Sequence, residues 1–169
     1  MSDKYAKLRK ELLFYKYYHH NRINVLIHSI FVPTILFSAC CFLNRIELFK
    51  GITVTNLFSI GYTLYYIHLY LPTGLLAGLI FIIVNIGLKK RWIHLSLPTE
   101  ITLFIIGWLV QFIGHGVFER RKPAVLDNLI QSLVLAPYFI LFEFLFKLGF
   151  LPEVRSKLEE ELKNIERKK

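Results

Sequence analysis

Five apolar runs, at about 23–43, 52–70, 74–88, 101–118 and 129–150, leave this chain few folds to choose from. A helix needs roughly 20 apolar residues to cross the hydrocarbon core of a bilayer, and these runs approach or reach that length. Inside lipid every backbone N–H and C=O must find a partner within the protein, so runs of this kind become helices. With 54% apolar residues, 15% aromatic residues and a mean hydropathy of +0.47, the sequence reads as all-α, a polytopic membrane helical bundle. The net charge of +9 sits mainly in the two tails and in short clusters between the runs. That distribution suits an anionic lipid surface and points away from nucleic acid. Cys40 and Cys41 are adjacent within an apolar run and read as packing residues.

The ends of the chain differ from its middle. Residues 3–20 carry Lys4, Lys7, Arg9, Lys10 and Lys16 around Leu8, Leu12, Leu13 and Tyr15, which predicts an amphipathic helix on the membrane surface. Asn21 is the expected N-cap of the first span. Leu71, Pro72, Thr73 and Gly74 read as a turn that folds 52–88 into a helical hairpin. Residues 1–152 are expected to form one membrane-embedded domain, and 153–169 a charged cytosolic tail. Two topologies are open: 52–88 crosses once, or it crosses twice and the last run dips in and returns at Pro137. Either arrangement puts 16 Lys and Arg on the cytosolic side and 5 outside, so the positive-inside rule places both tails in the cytosol without separating the two. The single crossing leaves His28 and His115 about 20 Å apart, at opposite ends of their helices. Only the double crossing gathers the histidines at one membrane face, and it is the arrangement expected here.

Those histidines are the chemically informative residues. His19, His20, Asn24 and His28 stand where the first span begins, and an ionisable side chain in or beside hydrocarbon is costly enough to point to function. On a continuous helix His20, Asn24 and His28 share one face while His19 points away; a break at Asn21 would turn His19 back toward them. His115 lies in Gln111-Phe112-Ile113-Gly114-His115-Gly116-Val117-Phe118-Glu119, with Gln111, His115 and Glu119 at helical spacing and two glycines that clear space around the ring. For His28 and His115 the competing readings are metal ligand and core side chain hydrogen-bonded to a neighbouring helix. His68 and His94 are expected to bind no metal. Six histidines without HxxxH or HxxHH spacing are too few for a multi-histidine diiron centre. The economical reading is one metal held by three or four imidazoles from His19, His20, His28 and His115, with the Glu119 carboxylate as an optional further donor, a centre that suits Fe(II) and dioxygen. Glu143, inside the last run, cannot face lipid as an anion without cost, so it is expected to face the bundle and support a ligand histidine.

The stretches FYKYYHHNRINVLIHSIFVPTILFS, YLPTGLLAG and GWLVQFIGHGVFERRKPAVLDNLIQSLVLAPYFILFEFLFKLGF resemble the fungal 2-hydroxy fatty acid dioxygenases of the endoplasmic reticulum, over most of the chain from Leu12 to Pro152. The resemblance implies an Fe(II)-dependent α-oxidation. In it O2 converts a 2-hydroxy fatty acid to the acid one carbon shorter with release of CO2, a step in phytosphingosine breakdown. It carries over His19, Asn24, His28, His115 and Glu119 as site residues, with the position of His20 less constant. A 2-hydroxy carboxylate suits chelation of iron through its hydroxyl and one carboxylate oxygen, with Arg22, Arg120 or Arg121 as candidates for the other oxygen. The rival from another class is a non-catalytic lipid-binding or scaffold bundle.

Overall fold

The computed structural model describes residues 6–19, 21–120, 125, 129 and 131–166. Helix α1 (Ala6–Tyr18) is followed by α2 (Arg22–Leu43), the short antiparallel strands β1 (Glu47–Phe49) and β2 (Ile52–Thr53), α3 (Val54–Leu69), α4 (Leu71–Lys89) and α5 (Leu97–Ile113). A π-helical segment, Gly114–Glu119, prolongs α5, and a second, Gln131–Leu135, leads into α6 (Ala136–Lys147); α7 (Pro152–Glu166) follows. Among the described residues three helical segments, Arg22–Leu43, Leu71–Lys89 and Leu97–Glu119, are long and apolar enough to cross a membrane. Their outward faces carry stripes such as Leu75, Leu79, Ile82, Ile83 and Ile86 on α4, all exposed, while Asn24, Ser38, Thr55, Ser59, Thr73 and Gln111 are buried. In water such a surface would aggregate; in lipid it is solvated. The protein is membrane-associated on this ground.

Antiparallel packing of α2 against α5 builds the centre. Gly107 and Gly114, seven residues apart, both face α2: a side chain at 107 would meet Ile35, and one at 114 would meet Asn24 and Ile27. Small residues let two helix backbones approach where no hydrophobic force drives them together. At the far end Arg45 donates to both carboxylate oxygens of buried Glu100, at 2.8 and 2.7 Å, and to the Leu95 carbonyl at 2.7 Å. A bidentate Arg–carboxylate pair fixes geometry as well as adding energy, so it sets the α2–α5 register.

The expected hairpin forms, with its break one residue before the Leu-Pro-Thr-Gly sequence. Tyr70 leaves the helical region at φ −160°, and Pro72 lies in the first turn of α4, where its missing N–H costs nothing. Helices α3 and α4 run antiparallel: Asn56 pairs with Asn85 at 2.7 Å, Asn85 donates to Ser59 at 2.8 Å, and Gly78 clears Thr63. Helices α3 and α4 thus pack as a hairpin, and the α2–α5 pair brings His28 and His115 together at one end. The last run differs from expectation, because Pro137 sits in the first turn of α6 and the chain does not reverse there. The reversal comes at 148–151, where Gly149 (φ +83°) ends α6 and Phe150 N–H returns to the Leu145 carbonyl at 2.9 Å, leaving α6 and α7 at 110°. Tyr138 anchors α6 to the hairpin: it is fully buried, stacks on Tyr66 at 4.2 Å, meets Thr73 and donates to the Tyr66 and Tyr70 carbonyls.

Helix α1 is amphipathic as expected, but its apolar stripe is covered by protein. Leu8, Leu12 and Tyr15 are buried among α6 and α7, where Leu158 is buried too, and Arg9 pairs with Glu161 at 3.1 Å. The charged C-terminal helix thus packs on α1 through one face.

Candidate metal centre

The α1–α2 break determines where His19 goes. Helix α1 ends at Tyr18 and α2 starts at Arg22, capped by Asn21, whose side chain accepts from Ile23 N–H at 2.8 Å. Freed from helical register, the His19 ring turns into the space beside α2 and α5. There His19, His28 and His115 meet edge-on, with ring centroids 4.5 Å (His19–His28), 5.0 Å (His19–His115) and 4.8 Å (His28–His115) apart. One nitrogen from each lies within 4.8 Å of the others, and all three side chains are buried. His20 lies outside the described residues. His68 and His94 are exposed and stand apart from this group.

Backbone carbonyls orient two of the rings. His19 Nδ1 lies 2.8 Å from the Tyr15 carbonyl, and His28 Nδ1 lies 3.0 Å from that of Asn24, each one helical turn back. A carbonyl only accepts, so Nδ1 carries the proton and Nε2 is left with its lone pair, the tautomer a metal requires. Burial, and then the neighbouring His28, holds His19 well below the usual imidazole range, so that ring is neutral at physiological pH. Four buried polar side-chain atoms among the described residues have no hydrogen-bond partner: Tyr15 hydroxyl, His19 Nε2, Asn24 Oδ1 and His115 Nδ1. Buried polar atoms are nearly always paired, so four orphans in one place call for something that satisfies them. A metal ion fits the two imidazole nitrogens, and the three-histidine set is compatible with a metal site.

The other expected site residues divide. Glu119 Oε1 accepts from Asn21 N–H at 2.9 Å and from Asn24 Nδ2 at 3.1 Å. In a capping box the third helical residue supplies a carboxylate to the N-cap amide; here that residue is Asn24, and the carboxylate comes from another helix. The π-helical turn Gly114–Glu119, closed by Arg120 N–H to the His115 carbonyl, displaces Glu119 from the expected α-helical spacing. Gly114 is required by the Asn24 contact, whereas Gly116 is exposed with nothing near it. Arg22 and Arg120 are exposed, and Arg121 lies outside the described residues.

Glu143 faces the bundle, and among the described residues its carboxylate pairs with Lys16 of α1, while the His19 and His28 rings meet backbone carbonyls instead. Lys16 stands three residues before His19, so this ion pair bears on how α1 presents that ring. Neither side chain is more than about a quarter exposed, at 26% and 12%. A double-mutant cycle of Lys16→Met and Glu143→Gln should give a coupling energy on the order of 1 kcal/mol in thermal unfolding, above an ordinary surface pair. Purely additive losses would remove the pair as a support for α1. Two features escaped sequence reasoning, the Lys16–Glu143 pair and the stacking of Tyr15 on His19 at 4.1 Å. The i,i+4 spacing of Tyr15 and His19 was the available signal for the second.

A family profile described as "2-hydroxy-palmitic acid dioxygenase Mpo1-like" matches residues 5–148. The chain is also 55% identical over 162 residues to the 2-hydroxy-palmitic acid dioxygenase MPO1 of Saccharomyces cerevisiae, covering 96% of this chain and 93% of that protein. No solved structure matches. A match spanning α1 to α6 includes every residue that builds the three-histidine pocket, and the chain belongs to the Mpo1-like family.

Proposed function

We propose that this protein is an Fe(II)-dependent dioxygenase of the endoplasmic reticulum membrane that shortens 2-hydroxy fatty acids by one carbon, using O2 and releasing CO2. The observation that carries the reading is the buried trio His19, His28 and His115, with two rings held so that their Nε2 atoms are free. Iron held by these three imidazoles would supply the activation of dioxygen. The chain's own residues do the rest. The Tyr15 and Asn24 carbonyls hold the ligand tautomers, Glu119 ties α5 to the start of α2, and Glu143 acts on His19 through Lys16 and α1.

The substrate's tail has a place to go. A cleft of about 410 Å³ between α2, α4 and α6 is lined along α2 by Ser29, the residue after His28 in the chain, and then by Pro33, Phe37 and Cys40. The rise along α2 from Ser29 to Cys40 is about 16 Å at 1.5 Å per residue. Ala77 lines the opposite wall. Ala77→Phe should shift preference from 2-hydroxypalmitate toward shorter 2-hydroxy acids, with kcat/KM for the C16 substrate falling roughly tenfold, since an added ring blocks the cleft without touching the histidines. An unchanged chain-length profile would remove the cleft as the acyl site.

The deciding experiment is anaerobic Fe(II) reconstitution of the purified protein, followed by 2-hydroxypalmitate and O2 with mass analysis of products. Pentadecanoic acid and CO2 are expected. Turnover without O2 would indicate a hydrolase, and absence of stoichiometric iron would favour a scaffold. Both tails are assigned to the cytosol by the charge distribution, so protease should remove the C-terminal helix from sealed microsomes. Protection would invert the topology.

A further inference from the structure

The pocket contains a hydroxyl that nothing so far uses. Tyr15 is buried, its ring lies nearly parallel to that of His19 (21°, centroids 4.1 Å) and tilts against Phe139 at 4.9 Å. Its carbonyl orients His19, yet its hydroxyl has no partner. An unpaired buried hydroxyl is a net cost that phenylalanine at the same position would avoid. The neighbouring carboxylates are already engaged, Glu143 by Lys16 and Glu119 by Asn21 and Asn24. The exposed Arg22 and Arg120 are not buried beside the histidines. A phenol is a protonated donor at neutral pH, and a donor with no acceptor beside a metal-compatible trio is suited to an oxygen that arrives with the ligand.

We infer that the Tyr15 hydroxyl is a substrate-binding group, which donates a hydrogen bond to a carboxylate oxygen of the 2-hydroxy acid and so fixes the acid's head beside the three histidines. The inference rests on the function proposed above. No covalent step is assigned to Tyr15; it positions, and its own hydrogen stays in place.

The test is Tyr15→Phe, with Phe139→Leu as a control that loosens the same ring packing and keeps the hydroxyl. Fe(II)-loaded protein under anaerobic conditions is titrated with 2-hydroxypalmitate and with 1,2-hexadecanediol, which retains the chain and the hydroxyl but has no carboxylate. Tyr15→Phe should melt no lower than wild type without ligand. It should bind 2-hydroxypalmitate roughly 10- to 100-fold more weakly, the usual effect of losing a hydrogen bond to a charged group. Affinity for the diol should be unchanged. Phe139→Leu should melt lower and keep the wild-type ratio of acid to diol affinity. Equal loss of both ligands in Tyr15→Phe, or a changed ratio in Phe139→Leu, would make Tyr15 a packing residue and overturn the inference. Wild-type affinity for the acid in Tyr15→Phe would overturn it too, leaving water as the partner of the hydroxyl. These failures differ from failure of the proposed function, in which wild-type protein itself does not turn over 2-hydroxypalmitate.

Discussion

Replacing His28 or His115 by alanine should abolish turnover and stoichiometric iron binding while the protein still inserts into the membrane. Each ring supplies one of three nitrogens lying within 4.8 Å of one another, and no other histidine of the described residues stands near enough to replace it. Insertion depends on the apolar runs, which a single alanine leaves intact. Losing one of three imidazoles goes beyond the 10- to 100-fold change typical when only a partner of a ligand is removed. Iron analysis of protein purified anaerobically checks this, and wild-type iron content in either variant would exclude that residue as a ligand. His68→Ala is the internal comparison: His68 is exposed on the last turn of α3, and its loss should leave iron and turnover at wild-type levels.

Gly114→Val should also cost iron affinity, though less than losing a ring, and it should do so although position 114 binds nothing. A Cβ there meets Asn24 Oδ1 and crowds Ile27, so α5 must move away from α2 at the level of the histidines. Overpacking of this kind costs about 1–3 kcal/mol. Spread over ligands carried by both helices, that displacement should lower iron affinity by roughly 10- to 100-fold, since each 1.4 kcal/mol is tenfold. Gly116→Ala meets only open space and should change thermal stability by less than about 0.5 kcal/mol with iron retained. Equal damage from both substitutions would mean that the π-helical turn itself needs glycine, and that contact with Asn24 is not the cause.

Much of this protein was determined by sequence alone, because the controlling interactions are local. Runs of apolar residues become helices wherever lipid denies the backbone other partners. Asn21 caps α2 because its own side chain reaches an amide two residues on. Asn24 and His28 share a face because a helix repeats every 3.6 residues. The resemblance to 2-hydroxy fatty acid dioxygenases was legible in the same stretches that the family profile matches.

What tertiary structure decided are the pairings between distant segments, which no periodicity encodes. Glu119 reads as one more member of a helical stripe, but a π-helical turn sends its carboxylate 98 residues back to the amide of Asn21. Glu143 has an obvious partner four residues ahead in Lys147, yet burial of the α1 stripe brings Lys16 to it first. Gly114 and Gly116 look equivalent on paper. Only the approach of α2 makes one necessary and leaves the other facing outward. His19 depends on both levels: a local break after Tyr18 frees its ring, and the antiparallel contact of α2 with α5 provides the two imidazoles it turns to meet.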